Sequence, residues 1–316
     1  MQLSDFDDQV FLSVIVPTYN RKDLLFKCLT SVYENLSEMP FVSEVIVVDD
    51  NSQDGTSEMI KKFFPNVITI KHSEEKFPCI SQADGQDVSK GRLIIRIDDD
   101  NVMKENCIRN LVEFMIHNKD VAFCGAISFN EDGKLSTNIG STYSKILKIR
   151  KLPRYRFKEK NIPNPYEVDL VDNTYIYRKD LIDLSLFRKM CKFFPWSLED
   201  AYIQTKLKEQ NYKIMINPSA VTVHYQHRSS INKKQIYHYM RSRILWLKIV
   251  QGTGASRLPL LSYFFIFATI ATTLIKEHDV LKWPDLIRII LRGAKDAINF
   301  NVDEVFQGKS NLQSRL

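Results

Sequence analysis

Short apolar runs alternate with stretches of helical periodicity through the first 130 residues. Four of the apolar runs are Leu12–Val16, Val45–Val48, Val67–Ile70 and Leu93–Ile97. Because these runs are rich in β-branched residues and apolar at nearly every position, they predict strands of a sheet that has helices on both faces. Periodic apolar residues between them predict helices over about 21–36, 54–64 and 105–117. Alternating strands and helices predict an α/β fold with a mixed, mostly parallel sheet flanked by helices.

Local signals refine this prediction at several positions. Pro17 is expected to end the first strand, because proline cannot continue a central strand. Asp54 is expected to cap the second helix. Further strands are predicted at Val121–Phe123 and Val168–Tyr177, and a further helix is predicted at Glu199–Gln210.

Polar clusters follow three of the predicted strands. They are Pro17-Thr18-Tyr19-Asn20, Asp49-Asp50-Asn51-Ser52 and Asp98-Asp99-Asp100-Asn101. Ligands of open α/β sheets bind at the carboxyl ends of the strands, so we expect the three clusters to meet along one edge.

The three consecutive carboxylates Asp98, Asp99 and Asp100 repel one another unless a cation or hydrogen-bond donors compensate them. Oxygen ligands favour a hard divalent ion, Mg²⁺ or Mn²⁺, whose remaining ligands come from water and phosphates. A simple turn with helix-capping acids is the alternative interpretation of this triplet.

The composition excludes several other function classes. The chain has 10 glycines and neither a GxGxxG nor a GxxxxGK[ST] segment, which argues against dinucleotide oxidoreductases and P-loop enzymes. Its five cysteines are never in CxxC spacing, so reduced thiols and a cytosolic compartment are expected. The polar, acidic start of the chain predicts no signal peptide.

Basic residues are unevenly distributed in a chain of net charge +6. Residues 210–276 contain nine Lys/Arg and no Asp or Glu, and a second basic run covers residues 145–160. This asymmetry indicates an anionic partner, such as ligand phosphates or an anionic membrane surface, with a solvated basic face as the alternative. A nucleic acid would not explain the acidic clusters, so none is expected.

Four segments together resemble family 2 glycosyltransferases of the GT-A fold, in the branch that contains rhamnosyltransferase-like enzymes. The segments are Ser13-Val14-Ile15-Val16-Pro17-Thr18-Tyr19-Asn20-Arg21, Val47-Val48-Asp49-Asp50-Asn51-Ser52-Gln53-Asp54-Gly55-Thr56, Ile97-Asp98-Asp99-Asp100-Asn101 and Trp196-Ser197-Leu198-Glu199-Asp200. Their order and spacing fit that family over about residues 11–228.

The resemblance implies an inverting, metal-dependent transfer of a sugar from a nucleotide-diphospho-sugar to a hydroxyl of a glycan or polyprenyl-linked acceptor. UDP-sugars and dTDP-sugars are the expected donors. The implied donor-binding residues are Pro17, Thr18, Tyr19, Asn20, Arg21, Asp50 (on the base), Asp98, Asp99, Glu199 and Arg228. Asp100 would be the direct metal ligand, together with Asp98 and His224, and Asp200 would be the general base.

Two of these assignments have structural alternatives. Acids that open a helix also interact favourably with its dipole, which is a serious alternative for Glu199. For His224, a hydrogen bond to nearby backbone is nearly as good an interpretation as a metal or diphosphate contact. Either Arg228 or Lys233 would contact the leaving phosphates.

The family's Ala-Arg-Asn-x-Gly segment is replaced here by Ser81-Gln82-Ala83-Asp84-Gly85, with Lys76 or Arg92 as substitutes for the missing arginine.

The C-terminal third carries a basic amphipathic stretch, Lys233–Val250, and an uncharged apolar segment of 18 residues, Leu258–Ile275. Together they predict a helical region over 231–316 that lodges at the cytoplasmic face of a membrane, following a catalytic domain over 1–230. A buried core helix is the alternative. A second copy of the chain is a further candidate partner.

Two rival functions are weighed against glycosyl transfer. A catalytically inactive sugar-nucleotide binding protein would keep the fold, but the presence of Asp98, Asp100 and Asp200 argues against it. A nucleotidyltransferase ranks lower, because the segment after the first strand lacks the Gly-rich, basic phosphate loop of that class.

Overall fold

The computed structural model describes residues 10–136, 139–143, 150–151, 164–195, 198–225, 233–249, 258–276 and 282–300. The chain forms two compact units. The first comprises Met1–Arg188 and Asp200–Arg228, and the second comprises Lys189–Glu199 and Ser229–Leu316. The division of the chain into domains 1–230 and 231–316 stays a prediction.

The first unit contains a nine-stranded mixed sheet. Its strands are β1 (Leu12–Thr18), β2 (Ser43–Asp49), β3 (Ile68–Lys71), β4 (Leu93–Ile97), β5 (Asn101–Met103), β6 (Val121–Asn130), β9 (Tyr166–Val168), β10 (Thr174–Arg178) and β11 (Lys213–His224). Their order in the sheet is β3-β2-β1-β4-β10-β6-β11-β5, with β9 also paired to β11. A separate two-stranded ribbon consists of β7 (Thr142–Tyr143) and β8 (Arg150–Lys151). β1, β2, β3 and β4 are parallel, whereas β10 is antiparallel to β4 and β6.

Helices connect the strands of this sheet. They are α1 (Lys22–Leu36), α2 (Thr56–Phe63), α3 (Phe77–Val88), α4 (Cys107–His117), α5 (Leu184–Phe193) and α6 (Glu199–Glu209). Leu25 and Leu29 of α1 and Leu111 of α4 pack with the β1 and β4 side chains in one continuous core. The predicted α/β fold and the predicted helices after β1, β2 and the Asp triplet are confirmed.

Three predictions about local structure were wrong. Pro17 lies inside β1, opposite Val48 of β2. Pairing of β1 with β4 ends at Ile15, so the last part of β1 is flanked on one side only, where proline is tolerated. The predicted strand Val168–Tyr177 is two strands, β9 and β10, which pair with different neighbours.

The third wrong prediction concerns the cysteines. Cys28, Cys107 and Cys124 are free and buried, as expected, but Cys79 and Cys191 are disulfide-bonded. Spacing along the chain does not show which of the five thiols are oxidised.

The second unit contains α7 (Lys233–Ile249), α8 (Leu258–Lys276) and α9 (Trp283–Asn299). α7 and α9 approach closely at Gly293, where an added Cβ would lie 2.6 Å from the Tyr237 carbonyl oxygen. Ion pairs and hydrogen bonds fix the same contact, including Lys233 with Asp285 and Tyr237 with Asp296, each at 2.6 Å. Among the helices that the structure describes, none has both the length and the apolar character needed to cross a bilayer.

Candidate active site

The ends of β1 and β4 meet at the acidic triplet. The Thr18 hydroxyl at the end of β1 donates to Asp99 Oδ2 at 2.7 Å. Arg21, which precedes α1, donates from Nη1 to Asp99 Oδ1 at 3.0 Å and to Asp100 Oδ2 at 2.9 Å. A single guanidinium therefore compensates two of the three carboxylates.

The second polar cluster joins this edge through the loops after β1 and β2. The Asn20 amide donates to Ser52 Oγ at 2.8 Å, and the Gln53 amide donates to Asn20 Oδ1 at 2.7 Å. Asn20 and Asn51 both have positive φ, a conformation that asparagine tolerates better than most residues. The prediction that the three clusters meet at one edge is confirmed.

Asp98 is compensated by a different arginine. Arg96 lies two residues earlier in β4 and donates from Nη2 to Asp98 Oδ1 at 2.7 Å. Burial raises the pKa of Asp98 to about 6 against the opposing charge of Arg96. Burial likewise raises the pKa of Asp99 to about 6, although Arg21 opposes it. Both carboxylates are therefore costly to keep ionised, and each is compensated by one arginine.

Asp100 differs from its two neighbours because a histidine faces it. His224, at the end of β11, places Nε2 at 3.5 Å from Asp100 Oδ2. Burial raises the pKa of Asp100, but His224 and Arg21 outweigh it and leave the pKa below its ordinary value. The same contact raises the pKa of His224. Two predicted metal ligands, Asp100 and His224, thus face each other, and their role as ligands stays a prediction.

A divalent ion fits this arrangement as a two-ligand site. In the described part of the chain, no group of three or more His, Cys, Asp and Glu side chains is arranged to hold a metal. Asp100 and His224 nevertheless face each other, and the buried Nδ1 of His224 has no hydrogen-bond partner in the described structure. Such a pair suits an ion that takes its other ligands from a diphosphate and water. Asp98, the other predicted metal ligand, is bonded to Arg96.

Asp50 is buried and accepts three hydrogen bonds. His72 Nδ1 lies 2.7 Å from its Oδ1, and the backbone amides of Lys76 and Phe77 donate to it at 2.8 and 2.9 Å. His72 Nε2 lies 2.9 Å from Asp84, which in turn pairs with Arg188. Asp50 thereby fixes the segment before α3. Its predicted contact with a nucleoside base stays a prediction.

Asp200 lies in the first turn of α6 and reaches the sheet through Tyr175 of β10. The Tyr175 hydroxyl donates to Asp200 Oδ2 at 2.6 Å. Tyr175 is the cross-strand neighbour of Arg96, whose guanidinium carbon lies 5.8 Å from the ring centroid. Burial raises the pKa of Asp200, and Arg96 opposes this effect. Asp200 is thus joined to the acidic triplet through two intervening side chains.

The remaining predicted residues are distributed as follows. Tyr19 is exposed, Glu199 is buried, and Arg228 lies outside the described residues. Neither substitute suggested for the missing arginine, Lys76 or Arg92, shows a side-chain bond to the triplet within the described structure. Sequence reasoning missed Arg96, Tyr175 and Gln82, although an arginine inside an otherwise apolar strand was a signal for the first of them.

Comparison with known proteins identifies the family. The model of glycosyl transferase family 2 matches residues 13–184. A poly(ribitol-phosphate) β-glucosyltransferase of Bacillus spizizenii is 27% identical over 60% of this chain and 28% of its own length. The poly(ribitol-phosphate) β-N-acetylglucosaminyltransferase TarP of Staphylococcus aureus is 23% identical over 64% of this chain and 59% of its own length. The chain thus covers less than two thirds of each relative.

Solved structures share the fold at low identity. S. aureus TarS 1–349 in complex with UDP-GlcNAc gives a TM-score of 0.58 at 17% identity, covering 94% of this chain and 84% of that one. The mannosyltransferase PcManGT from Pyrobaculum calidifontis, in complex with GDP-Man and Mn²⁺, gives 0.56 at 15% identity, covering 92% and 88%. The predicted GT-A fold is therefore confirmed. Because the family model spans more than half of its length, this chain belongs to glycosyl transferase family 2.

Proposed function

We propose that the protein is an inverting, metal-dependent glycosyltransferase that moves a sugar from a nucleotide-diphospho-sugar to an acceptor hydroxyl. The observation that carries this proposal is the link between Asp200 and the acidic triplet, through Tyr175 and Arg96. In a single displacement, a carboxylate takes the proton of the acceptor hydroxyl, and positive charge offsets the negative charge of the leaving diphosphate. Asp200 and the acidic triplet are our candidates for these two roles, and the contacts that join them support this assignment.

Asp200 is the general base of this proposal. It takes the proton of the acceptor hydroxyl while the acceptor oxygen bonds to the anomeric carbon and the bond from that carbon to the diphosphate oxygen breaks. The diphosphate leaves with the bonding electron pair. Because the acceptor attacks opposite the leaving group, the anomeric configuration inverts. The raised pKa of Asp200 makes it a stronger base than an exposed carboxylate.

Asp100 and His224 would hold the divalent ion, Mg²⁺ or Mn²⁺, and the bound ion would neutralise the diphosphate charge. Arg21 forms ion pairs with Asp99 and Asp100. In this proposal its guanidinium also contacts a phosphate oxygen of the donor. Support for nucleotide-sugar donors comes from TarS and PcManGT, which were solved with UDP-GlcNAc and GDP-Man. A UDP-sugar is our first choice of donor and a dTDP-sugar the second.

The acceptor in this proposal is a glycan or a lipid-linked saccharide. A Campylobacter jejuni relative, 30% identical over 32% of this chain, is a GalNAc(5)-diNAcBac-PP-undecaprenol β-1,3-glucosyltransferase.

Two faces of the second unit support binding to an anionic membrane surface. α8 exposes Tyr263, Phe264 and Phe267, and α9 exposes Leu291 and Ile298 beside basic side chains at helical spacing.

Donor binding and turnover test the proposal separately. Thermal unfolding is measured with UDP-, GDP- and dTDP-sugars, each with and without Mn²⁺ or Mg²⁺, and release of nucleoside diphosphate is then followed with the stabilising donor. We expect a metal-dependent rise in Tm with one nucleotide class, since a ligand at 100 times its Kd stabilises by about 2.7 kcal/mol. Asp200→Asn should keep that rise and lose turnover, whereas Asp120→Asn, an exposed acid, should keep both. Turnover that persists in Asp200→Asn would refute the assigned base.

A further inference from the structure

The Tyr175 hydroxyl lies between Asp200 and a glutamine of α3. Tyr175 donates to Asp200 Oδ2 at 2.6 Å, and it accepts from Gln82 Nε2 at 3.0 Å. Tyr175 is fully buried and Gln82 is 2% exposed, so water does not compete for either bond. Because Gln82 supplies a donor to the phenol oxygen, the phenol proton is directed to Asp200.

One turn further along α3, a second glutamine–tyrosine pair joins the same helix and strand but makes no hydrogen bond to Asp200 in the described structure. Gln86 follows Gln82 by four residues, and Tyr177 follows Tyr175 by two in β10. The Tyr177 hydroxyl donates to Gln86 Oε1 at 2.9 Å, and both side chains are buried. The two tyrosines thus tie the same helix to the same strand, and Tyr175 differs from Tyr177 in its bond to the carboxylate.

Several groups act on the ionisation of Asp200. They are Arg96 on β4, Tyr175 on β10, Asp172 ahead of β10, and Gln82 on α3. Burial raises the pKa of Asp200 and Asp172 adds to this effect, whereas Arg96, Tyr175 and Gln82 lower it. The Tyr175 bond therefore stabilises the ionised carboxylate that a general base requires.

We propose that Tyr175, held by Gln82, is a positioning residue that commits Oδ2 of Asp200 to a fixed hydrogen bond and directs Oδ1 towards the acceptor hydroxyl. This proposal rests on the proposed function, in which Asp200 takes the acceptor proton. Oδ1 receives that proton as the acceptor oxygen bonds to the anomeric carbon and the diphosphate leaves with its electron pair. Tyr175 keeps its own proton throughout, because burial holds the pKa of its phenol well above the ordinary value.

The test compares Tyr175→Phe with Tyr177→Phe. Each change removes one buried hydroxyl from β10 and its hydrogen bond to α3, but Tyr175→Phe also removes the bond to Asp200 and should therefore lose more thermal stability. The ionisation of Asp200 is followed by ¹³C NMR of labelled aspartate carboxyls, with its resonance assigned as the one missing from Asp200→Asn. We expect the pKa of Asp200 to rise by about one pH unit in Tyr175→Phe and to stay unchanged in Tyr177→Phe, because a lost hydrogen bond to a charged group destabilises the ionised form.

Gln82→Met gives a second variant if Tyr175→Phe does not fold. It keeps the phenol and removes the donor to it, so a smaller rise in the same pKa is expected. Equal titration of Asp200 in wild type, Tyr175→Phe and Gln82→Met would overturn the inference.

When turnover is measured against pH, its acidic midpoint should shift by the same amount as the pKa of Asp200 measured by NMR. The KM for the donor should change little. These readouts separate the two claims. An inactive Asp200→Asn with an unshifted Tyr175→Phe defeats the inference alone, whereas an active Asp200→Asn defeats the proposed function.

Discussion

At the level of single residues, the Arg21 guanidinium occupies carboxylate oxygens that a bound cation would also use. Its guanidinium bonds to Asp99 and Asp100, the latter through the same oxygen that faces His224. Arg21→Ala should therefore lower the stability of the metal-free protein by about 1 kcal/mol, a modest figure because Arg21 is partly exposed. The rise in Tm on adding Mn²⁺ should be larger than in wild type, since the ion no longer competes with the guanidinium. Lys22→Ala is the neighbouring control, and an equal or smaller Mn²⁺ effect in Arg21→Ala would contradict this view.

His72 is the second residue whose environment makes a sharp prediction. It is buried between Asp50 and Asp84, at 2.7 and 2.9 Å. His72→Leu removes the group shared by two carboxylates, so we expect a loss of about 3 kcal/mol in the free energy of unfolding by urea. His117→Leu, at an exposed position of α4, should change it by less than about 0.5 kcal/mol. A loss no larger than that of His117→Leu would show that His72 does not organise this segment.

Residue patterns predicted part of this site. The acidic triplet, Asp200 and His224 stand out in sequence because acids or a histidine follow apolar strands or open a helix. Gln82 and Tyr175 are separated by 93 positions and meet only in the folded sheet. Local pattern cannot predict such a pair, because each residue alone is ordinary for a buried helix or strand.

At the element scale, Asp54 joins the starts of two helices. Its Oδ2 accepts from the Lys22 amide of α1 at 2.8 Å, and its Oδ1 accepts from the Thr56 amide of α2 at 3.2 Å. Burial opposes ionisation, but these bonds and the Thr56 hydroxyl hold the pKa of Asp54 below 3.8. The stabilisation is thus present above the unfolded pKa and is lost as pH falls through the lower folded pKa.

Asp54→Ala should cost about 1–2 kcal/mol at pH 7, as losses of helix-capping side chains do. The difference from wild type should shrink as the pH falls below about 4, where the unfolded carboxyl takes up a proton, and should vanish once the native carboxyl is protonated at lower pH. Denaturant unfolding across pH 2.5–7 measures this, with Glu58→Ala on exposed α2 surface as control. A cost that is independent of pH would rule out the ionised form as its source.

Elements were predicted best where periodicity is strong. α1 and α4 begin within two residues of their predicted starts, because their apolar faces meet the sheet. Pro17 and the region from Tyr166 to Arg178 were mispredicted, because strand pairing on each side decides what a segment tolerates and where it breaks. Asp54 was expected to cap α2, and it acts instead from the residue before Gly55, the N-cap.

At the scale of the whole molecule, the exposed face of α9 tests the proposed membrane contact. Arg288, Arg292 and Lys295 lie beside exposed Leu291 and Ile298. Replacing the three basic residues with Glu should abolish sedimentation with anionic phosphatidylglycerol vesicles at low salt, because each basic residue near such a surface contributes about 1 kcal/mol. Lys61→Glu with Lys62→Glu on α2 is the matched control. Wild-type protein that ignores anionic vesicles would exclude this contact.

The central claim is that Asp200 and the acidic edge carry out an inverting transfer from a nucleotide sugar. ¹H NMR of the sugar first released from an α-linked UDP-sugar, with Mn²⁺ present and water as acceptor, tests it most directly. We expect the β anomer to appear first, and we expect Asp200→Asn to release neither sugar nor UDP above background. Initial release of the α anomer, or release that survives Asp200→Asn, would contradict it.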